Sequence, residues 1–203
     1  MCNEEIHASN LTDKARKIVL AVALLNLIGC LGEAIVATII GSASLYADAA
    51  DFLEDTLING LVLLAMSWPV ASRRKASIWL AGLILIPALA ALGMAAWKII
   101  TGAPPEPFTL SATAVAAMVI NLVCALLLVQ LRQGSALMRG AWLAARNDVL
   151  ANILILAAGL VTIFWTTIWP DVVVGVIIGL INLGAAKEVY EQAQAEDPEL
   201  EED

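Results

Sequence analysis

Four acids crowd the first half of one apolar stretch: Asp48, Asp51, Glu54 and Asp55 in LYADAADFLEDTLINGLVLLAMSW, residues 45–68. A carboxylate in hydrocarbon is expensive unless it is paired, protonated or bound to a cation, so an acid in a spanning segment points to function. Asp51 and Asp55 are four residues apart, which stacks them one turn apart on one helix face. Two stacked carboxylates facing a bundle interior make half of a cation site. A second stretch, AWLAARNDVLANILILAAG, holds Asp148. Asn152 lies four residues after it and Ala144 four before; both share its face, whereas Arg146 and Asn147 point elsewhere. At about 1.5 Å of rise per residue, Asp55 and Asp148 both fall in the middle half of a bilayer.

Asp51, Asp55, Asp148 and Asn152 therefore form a hard, oxygen-rich constellation. Its donors suit a divalent cation such as Zn²⁺ or Mn²⁺ better than a soft monovalent one. Clustered like charges cannot all stay ionised without a cation, and the protons they hold belong to the cluster rather than to one residue. An entering metal expels those protons, the chemical minimum for metal/proton exchange. Among the other polar groups, Asp48 lies nearer the outer interface and reads as a cap or hydrogen-bond partner. Glu54 faces away and reads as a contact with another helix. Glu33 and Asn26 in the first segment are candidates to line the site, and Arg146 snorkels toward the inner interface.

The elements that must position these groups are legible from composition. The chain has 203 residues, of which 61% are hydrophobic, and a mean hydropathy of +0.86. That composition predicts an all-α, polytopic membrane protein. Six apolar segments are expected at about residues 15–41, 45–68, 78–101, 110–131, 136–165 and 169–187. Each must be helical, because lipid leaves a bare backbone unsatisfied. Residues 1–14 form an N-terminal arm without the charge and cleavage pattern of a signal peptide, so the first segment is expected to be a retained helix. Residues 188–203 form an acidic tail, expected as a frayed helix end and a disordered terminus.

The tail also accounts for the formal net charge of −8, since it holds eight acids and no base. No basic patch suits nucleic acid. Lys14, Arg16, Lys17, Arg73, Arg74, Lys75, Arg132, Arg139 and Lys187 fall on one side of a six-pass layout, with Lys98 alone opposite. The excess of positive charge places both termini in the cytoplasm, in a multi-pass protein of the cell (inner) membrane. Trp97, Trp165 and Trp169 mark the outer interface and Trp68 the inner one. Cys2, Cys30 and Cys124 lack metal or disulfide spacing; the last two read as small buried hydrophobes. His7 lies in the arm and reads as solvated.

SASLYADAADFLEDTLINGL resembles the second transmembrane helix of the cation diffusion facilitator family, with a pattern near S-x-(A/S)-L-x-A-D-A-x-(H/D)-x-x-x-D. Asp51 and Asp55 fall on its two ligand positions. RGAWLAARNDVLANILILAAG resembles the family's fifth helix, with its (H/D)-x-x-x-D pattern, and Asp148 falls on the second position. The resemblance spans the membrane region. It implies a homodimeric, proton-coupled exporter of divalent transition metals, with Zn²⁺ favoured and Cd²⁺, Mn²⁺ or Fe²⁺ also in range. The metal and protons are then substrates, and no tightly bound cofactor is expected.

Two departures from the family stand out. Ala144 occupies the usual first ligand position of the fifth helix, leaving water, Asn152 or Asn147 to complete the shell. The family's cytoplasmic α/β domain has no counterpart, so a dimer would be held by membrane helices. A non-transporting relative, acting as a membrane subunit or regulator, is the alternative that Ala144 keeps open. Enzymatic chemistry is not expected: the D-G-x-x-A-R and G-x-G-D signatures of intramembrane enzymes are absent, and His7, the sole histidine, lies outside the membrane.

Overall fold

The computed structural model describes residues 13–65, 70–131 and 136–195. Residues 1–12, Trp68, Arg132 and the tail from residue 196 lie outside the described residues, as do the side chains of Arg73, Arg74, Arg139 and Ala144. The described chain is all-α: α1 (Asp13–Ile40), α2 (Ala43–Ala65), α3 (Val70–Thr101), α4 (Pro107–Leu128), α5 (Ala136–Phe164) and α6 (Trp169–Ala195). Runs long and apolar enough to cross a bilayer occupy Lys14–Ile40, Ala81–Thr101, Pro107–Leu128, Ala145–Phe164 and Trp169–Lys187. α2 has 23 residues, about 35 Å of helix and enough to span, but its four acids lower its hydropathy.

The burial pattern is that of a protein dissolved in lipid. Small residues fill the interior: Ala37, Ala43, Ala47, Ala88, Ala91, Ala114 and Ala145 are fully buried. Large aliphatic and aromatic side chains such as Ile39, Ile86, Ile100 and Phe164 face outward, and Phe164 is 90% exposed. In water this arrangement would be unstable. In a bilayer, helices gain nothing by hiding Leu from lipid, and small residues let backbones approach closely. Polar groups turn inward instead: Asn26, Glu33, Asp48, Asn121, Asn152, Asp171 and Asn182 are all buried. α2 carries the most acids and takes the most shielded position, packed against α1, α3, α6 and α5. α4 packs on α5 and α1, and α3 packs on α6.

Two helices run beyond the expected apolar segments. The basic linker before the third segment is helical from Val70 onward, since Ala, Arg and Lys all favour helix and nothing after Pro69 breaks it. α6 continues through Glu188 to Ala195, so the helix end expected at the start of the tail extends about two turns past Lys187. Its Ala, Glu and Gln content favours this, and Lys187 pairs with Glu191 one turn on, at 3.5 Å.

α4 opens as its sequence requires. Pro107 sits at the first helical position, where a missing N–H costs nothing. Glu106 caps the end: its carboxylate accepts from Phe108 N at 3.0 Å and Thr109 N at 2.5 Å. A hydrogen bond from the Thr109 side chain, reinforced by the backbone N–H groups of Thr109 and Phe108, holds the exposed Glu106 carboxyl below its ordinary value. A depressed folded-state pKa means that the cap is intact above the ordinary glutamate value near 4.3 and is lost as pH falls through the lower one. Slow amide exchange at Phe108 and Thr109 should therefore persist below about pH 4.3 and disappear on further acidification. Glu106→Ala should abolish the protection at every pH. Exchange that is the same in both proteins would refute the capping role.

The N-terminus of α2 is held differently. α1 closes on Gly41, whose φ of 61° is the left-handed conformation glycine adopts without strain, and Ser42 N donates back to Ala37 O at 3.1 Å. Asp171, from the first turn of α6, then reaches across to cap α2. Its Oδ2 accepts from Ala43 N at 2.8 Å, and its Oδ1 accepts from Ser44 N at 3.1 Å and from the Ser42 and Ser44 hydroxyls at 2.6 Å each. Lys98 of α3 completes the lock, with Nζ 3.1 Å from Asp171 Oδ2 and also donating to Gly41 O. Both charged side chains are buried. Exposed Trp97, Trp165 and Trp169 ring the same end of the bundle, as interfacial anchors would.

The lock requires close helix approach, and Gly175 provides it. A Cβ there would lie 2.7 Å from the Ala43 carbonyl carbon, a contact with backbone that cannot swing away. Gly175→Ala should push α6 off α2 and cost about 1–3 kcal/mol. Gly60→Ala meets nothing within 4 Å and serves as the control. Thermal unfolding in detergent checks this, and equal melting of the two variants would contradict the packing.

Candidate functional site

The N-terminal half of α2 directs Asp51 at α5 and Asp55 at α1. Asp51, Asp55 and Asp148 each retain some accessible surface although protein surrounds them, as befits groups lining a narrow cleft. The Asp51 and Asp148 carboxyls meet at hydrogen-bonding range across the α2–α5 contact. Two carboxylates at that range need a proton or a cation between them. Asp55 lies within electrostatic reach of both, but its Oδ2 accepts from Asn26 Nδ2 of α1 at 3.1 Å. Asn26 Oδ1 in turn accepts from Cys124 Sγ of α4 at 3.5 Å.

Asn152, one turn from Asp148 on α5, is buried. Its Nδ2 donates to the Asp148 carbonyl at 2.8 Å and to Asp48 Oδ1 at 3.2 Å. Because a carbonyl only accepts, the first bond fixes which end of the amide is nitrogen. Asn152 Oδ1 is thereby left without a hydrogen-bond partner.

The expected constellation is assembled in part. Asp51 and Asp148 come together, Asn152 stands beside them, and Asp55 is held one step away by Asn26. Among the described residues, no three His, Cys, Asp or Glu side chains converge at metal-binding distance. Asn26 and Glu33 do line this interior, as expected, at 0% and 3% exposure. Arg146 and Asn147 are exposed; the Arg146 guanidinium lies 5.6 Å from the Trp142 ring centroid and Nη2 donates to Asn147 Oδ1 at 3.3 Å. Glu54 is buried. Cys30 and Cys124 are free thiols, half-buried and buried.

Of the two roles expected of Asp48, the hydrogen bond is present and the cap near the interface is not. Asp48 is fully buried, held by Asn152 and within hydrogen-bonding range of Glu33. The cap comes from Asp171, a residue to which pattern reasoning assigned nothing. Its signal was present in Trp-Pro-Asp at the start of an apolar segment, a common helix opening, and in Lys98 as the lone base on its side. The pairing between them spans 73 residues and leaves no periodicity to read.

The architecture is that of an integral, multi-pass, all-helical membrane protein with a polar interior on α1, α2 and α5. No protein-family model matches the chain, and a search of curated proteins finds no similar one.

Proposed function

We propose that this protein is a divalent transition-metal transporter that exchanges metal for protons through the cleft between α2 and α5. The observation that carries this reading is the meeting of Asp51 with Asp148 inside a membrane bundle, with Asp55 one turn along α2 and Asn152 one turn along α5. Each helix then offers a pair of oxygen donors at matched spacing. Asn152 supplies the fourth donor, so the position of Ala144 need not be filled. A metal entering the cleft displaces the protons that the carboxyls hold between them. Asp55 leaves Asn26 to complete the shell, and proton return from the far side releases the metal.

The likeness of the α2 and α5 segments to the cation diffusion facilitator family supports Zn²⁺ as the favoured cargo, with Cd²⁺, Mn²⁺ and Fe²⁺ within the chemistry. It supports export from the cytoplasm, six spans with both termini inside, and a homodimer joined by membrane helices. Proteoliposomes with an imposed pH gradient test the proposal. Zn²⁺, Cd²⁺, Mn²⁺ or Fe²⁺ flux should follow the proton gradient and reverse with it. A folded, inserted protein that moves none of these ions would instead be a non-transporting membrane subunit.

A further inference from the structure

Four buried oxygens beside the α2–α5 cleft have no hydrogen-bond partner: both oxygens of Glu33, Asp48 Oδ2 and Asn152 Oδ1. They belong to three residues that touch in sequence across three helices. Glu33 of α1 meets Asp48 of α2, and Asp48 accepts from Asn152 of α5. An unpartnered buried polar atom is costly and uncommon in a native fold, so four on one chain of contacting residues need a common explanation.

The protein offers no compensation from the other side of Glu33. There it borders a groove of about 460 Å³ between α1 and α4, lined by Gly29, Gly32, Thr113 and Ala117 among others. The glycines have no side chain to offer, and Thr113 spends its hydroxyl on the Thr109 carbonyl at 2.8 Å. Among the described residues, no basic side chain is paired with Glu33 or Asp48. Lys98, the buried base among the described residues, is committed to Asp171.

A proton shared by Glu33 and Asp48 would join two of the four oxygens. It would leave a second charge and the other two oxygens, Asn152 Oδ1 included, uncompensated. A divalent cation neutralises both carboxylates and takes their free oxygens as ligands, with water completing the shell. Carboxylate and amide oxygens are hard donors that suit Mn²⁺, Mg²⁺ or Ca²⁺.

We infer that Glu33, Asp48 and Asn152 form a second site for a hard divalent cation, one turn outward along α2 from the Asp51–Asp148 pair. It uses Glu33 and Asp48, which the transport reading leaves without a role, and it shares the Asn152 oxygen with the transport site, so the variants below are chosen at residues that belong to one site only.

Mn²⁺ binding to the full-length protein in nanodiscs tests this, with free Mn²⁺ followed by electron paramagnetic resonance. Two Mn²⁺ per chain are expected in the wild type and one in Glu33→Gln. Asp48→Asn should also bind one, which guards against a folding defect peculiar to the first variant. Asp55→Asn should retain the Glu33 site and likewise bind one. A wild type that binds a single Mn²⁺, unaffected by Glu33→Gln and lost in Asp55→Asn, overturns the second site and leaves the transport site standing. A single Mn²⁺ lost in Glu33→Gln but kept in Asp55→Asn supports the second site and counts against the transport site. No bound Mn²⁺ at all overturns the second site.

Discussion

Asp148→Ala should lower proton-driven metal flux by about 100-fold or more while the protein still folds and inserts. Removing a partner that only orients a metal ligand costs roughly 10–100-fold in affinity. A direct ligand should therefore reach or exceed the upper end. Asp51→Ala should behave alike, because Asp51 and Asp148 meet across one helix contact and the loss of either dissolves the pair. Asp55→Ala should abolish flux as well, while freeing the Asn26 amide that now holds it. Arg146→Ala is the informative control: that side chain is exposed and stacked over Trp142, so flux should stay close to wild type. The measurement is initial-rate uptake into proteoliposomes at matched protein density. Wild-type flux in Asp148→Ala would remove the site from the pathway.

Asp171→Ala should be among the most destabilising substitutions in the chain. Taking one partner from a buried ion pair typically costs about 3–5 kcal/mol, because the remaining charge is left uncompensated in a poorly polarisable interior. Here the loss extends further, since Asp171 also supplies the acceptors for Ala43 N, Ser44 N and two serine hydroxyls. Lys98→Met should cost less, because Asp171 keeps those four donors. The double variant Lys98→Met/Asp171→Leu removes both charges and should recover part of what Asp171→Ala loses. Thermal unfolding in detergent, read by labelling of the buried Cys124 thiol, ranks the three. Equal melting of Asp171→Ala and Lys98→Met would show that the capping bonds contribute nothing beyond the ion pair. Wild-type melting of Asp171→Ala would refute the lock altogether.

The two predictions are physically linked. A cleft acid can exchange protons and metal only if its helix keeps its register while its neighbours shift. α2 holds few apolar side chains over its acidic half with which to anchor itself in lipid. Asp171 and Lys98 tie its N-terminus to α6 and α3, and the Gly175 contact allows the backbones to meet there. The acids below can then be partly accessible without α2 drifting.

Composition and hydropathy by themselves determined that this is a helical membrane protein, and the spacing of Asp51, Asp55, Asp148 and Asn152 nominated the interior faces of α2 and α5. Those properties are local. Helix length follows from a bilayer that forbids unpaired backbone, and the face a side chain occupies follows from 3.6 residues per turn. The tertiary structure decided everything that depends on which helices touch. It drew Asp55 to Asn26 and away from Asp148, turned the Asn152 amide toward Asp48, and buried Asp48 against Glu33. It also brought Asp171 to the start of α2, although 127 residues separate it from Ser44. A carboxylate's partner is set by packing across the bundle, where each alternative pairing has the same local sequence on both sides. Residue types thus announced the chemistry available, and only the packed helices determined which oxygens were satisfied and which were left open.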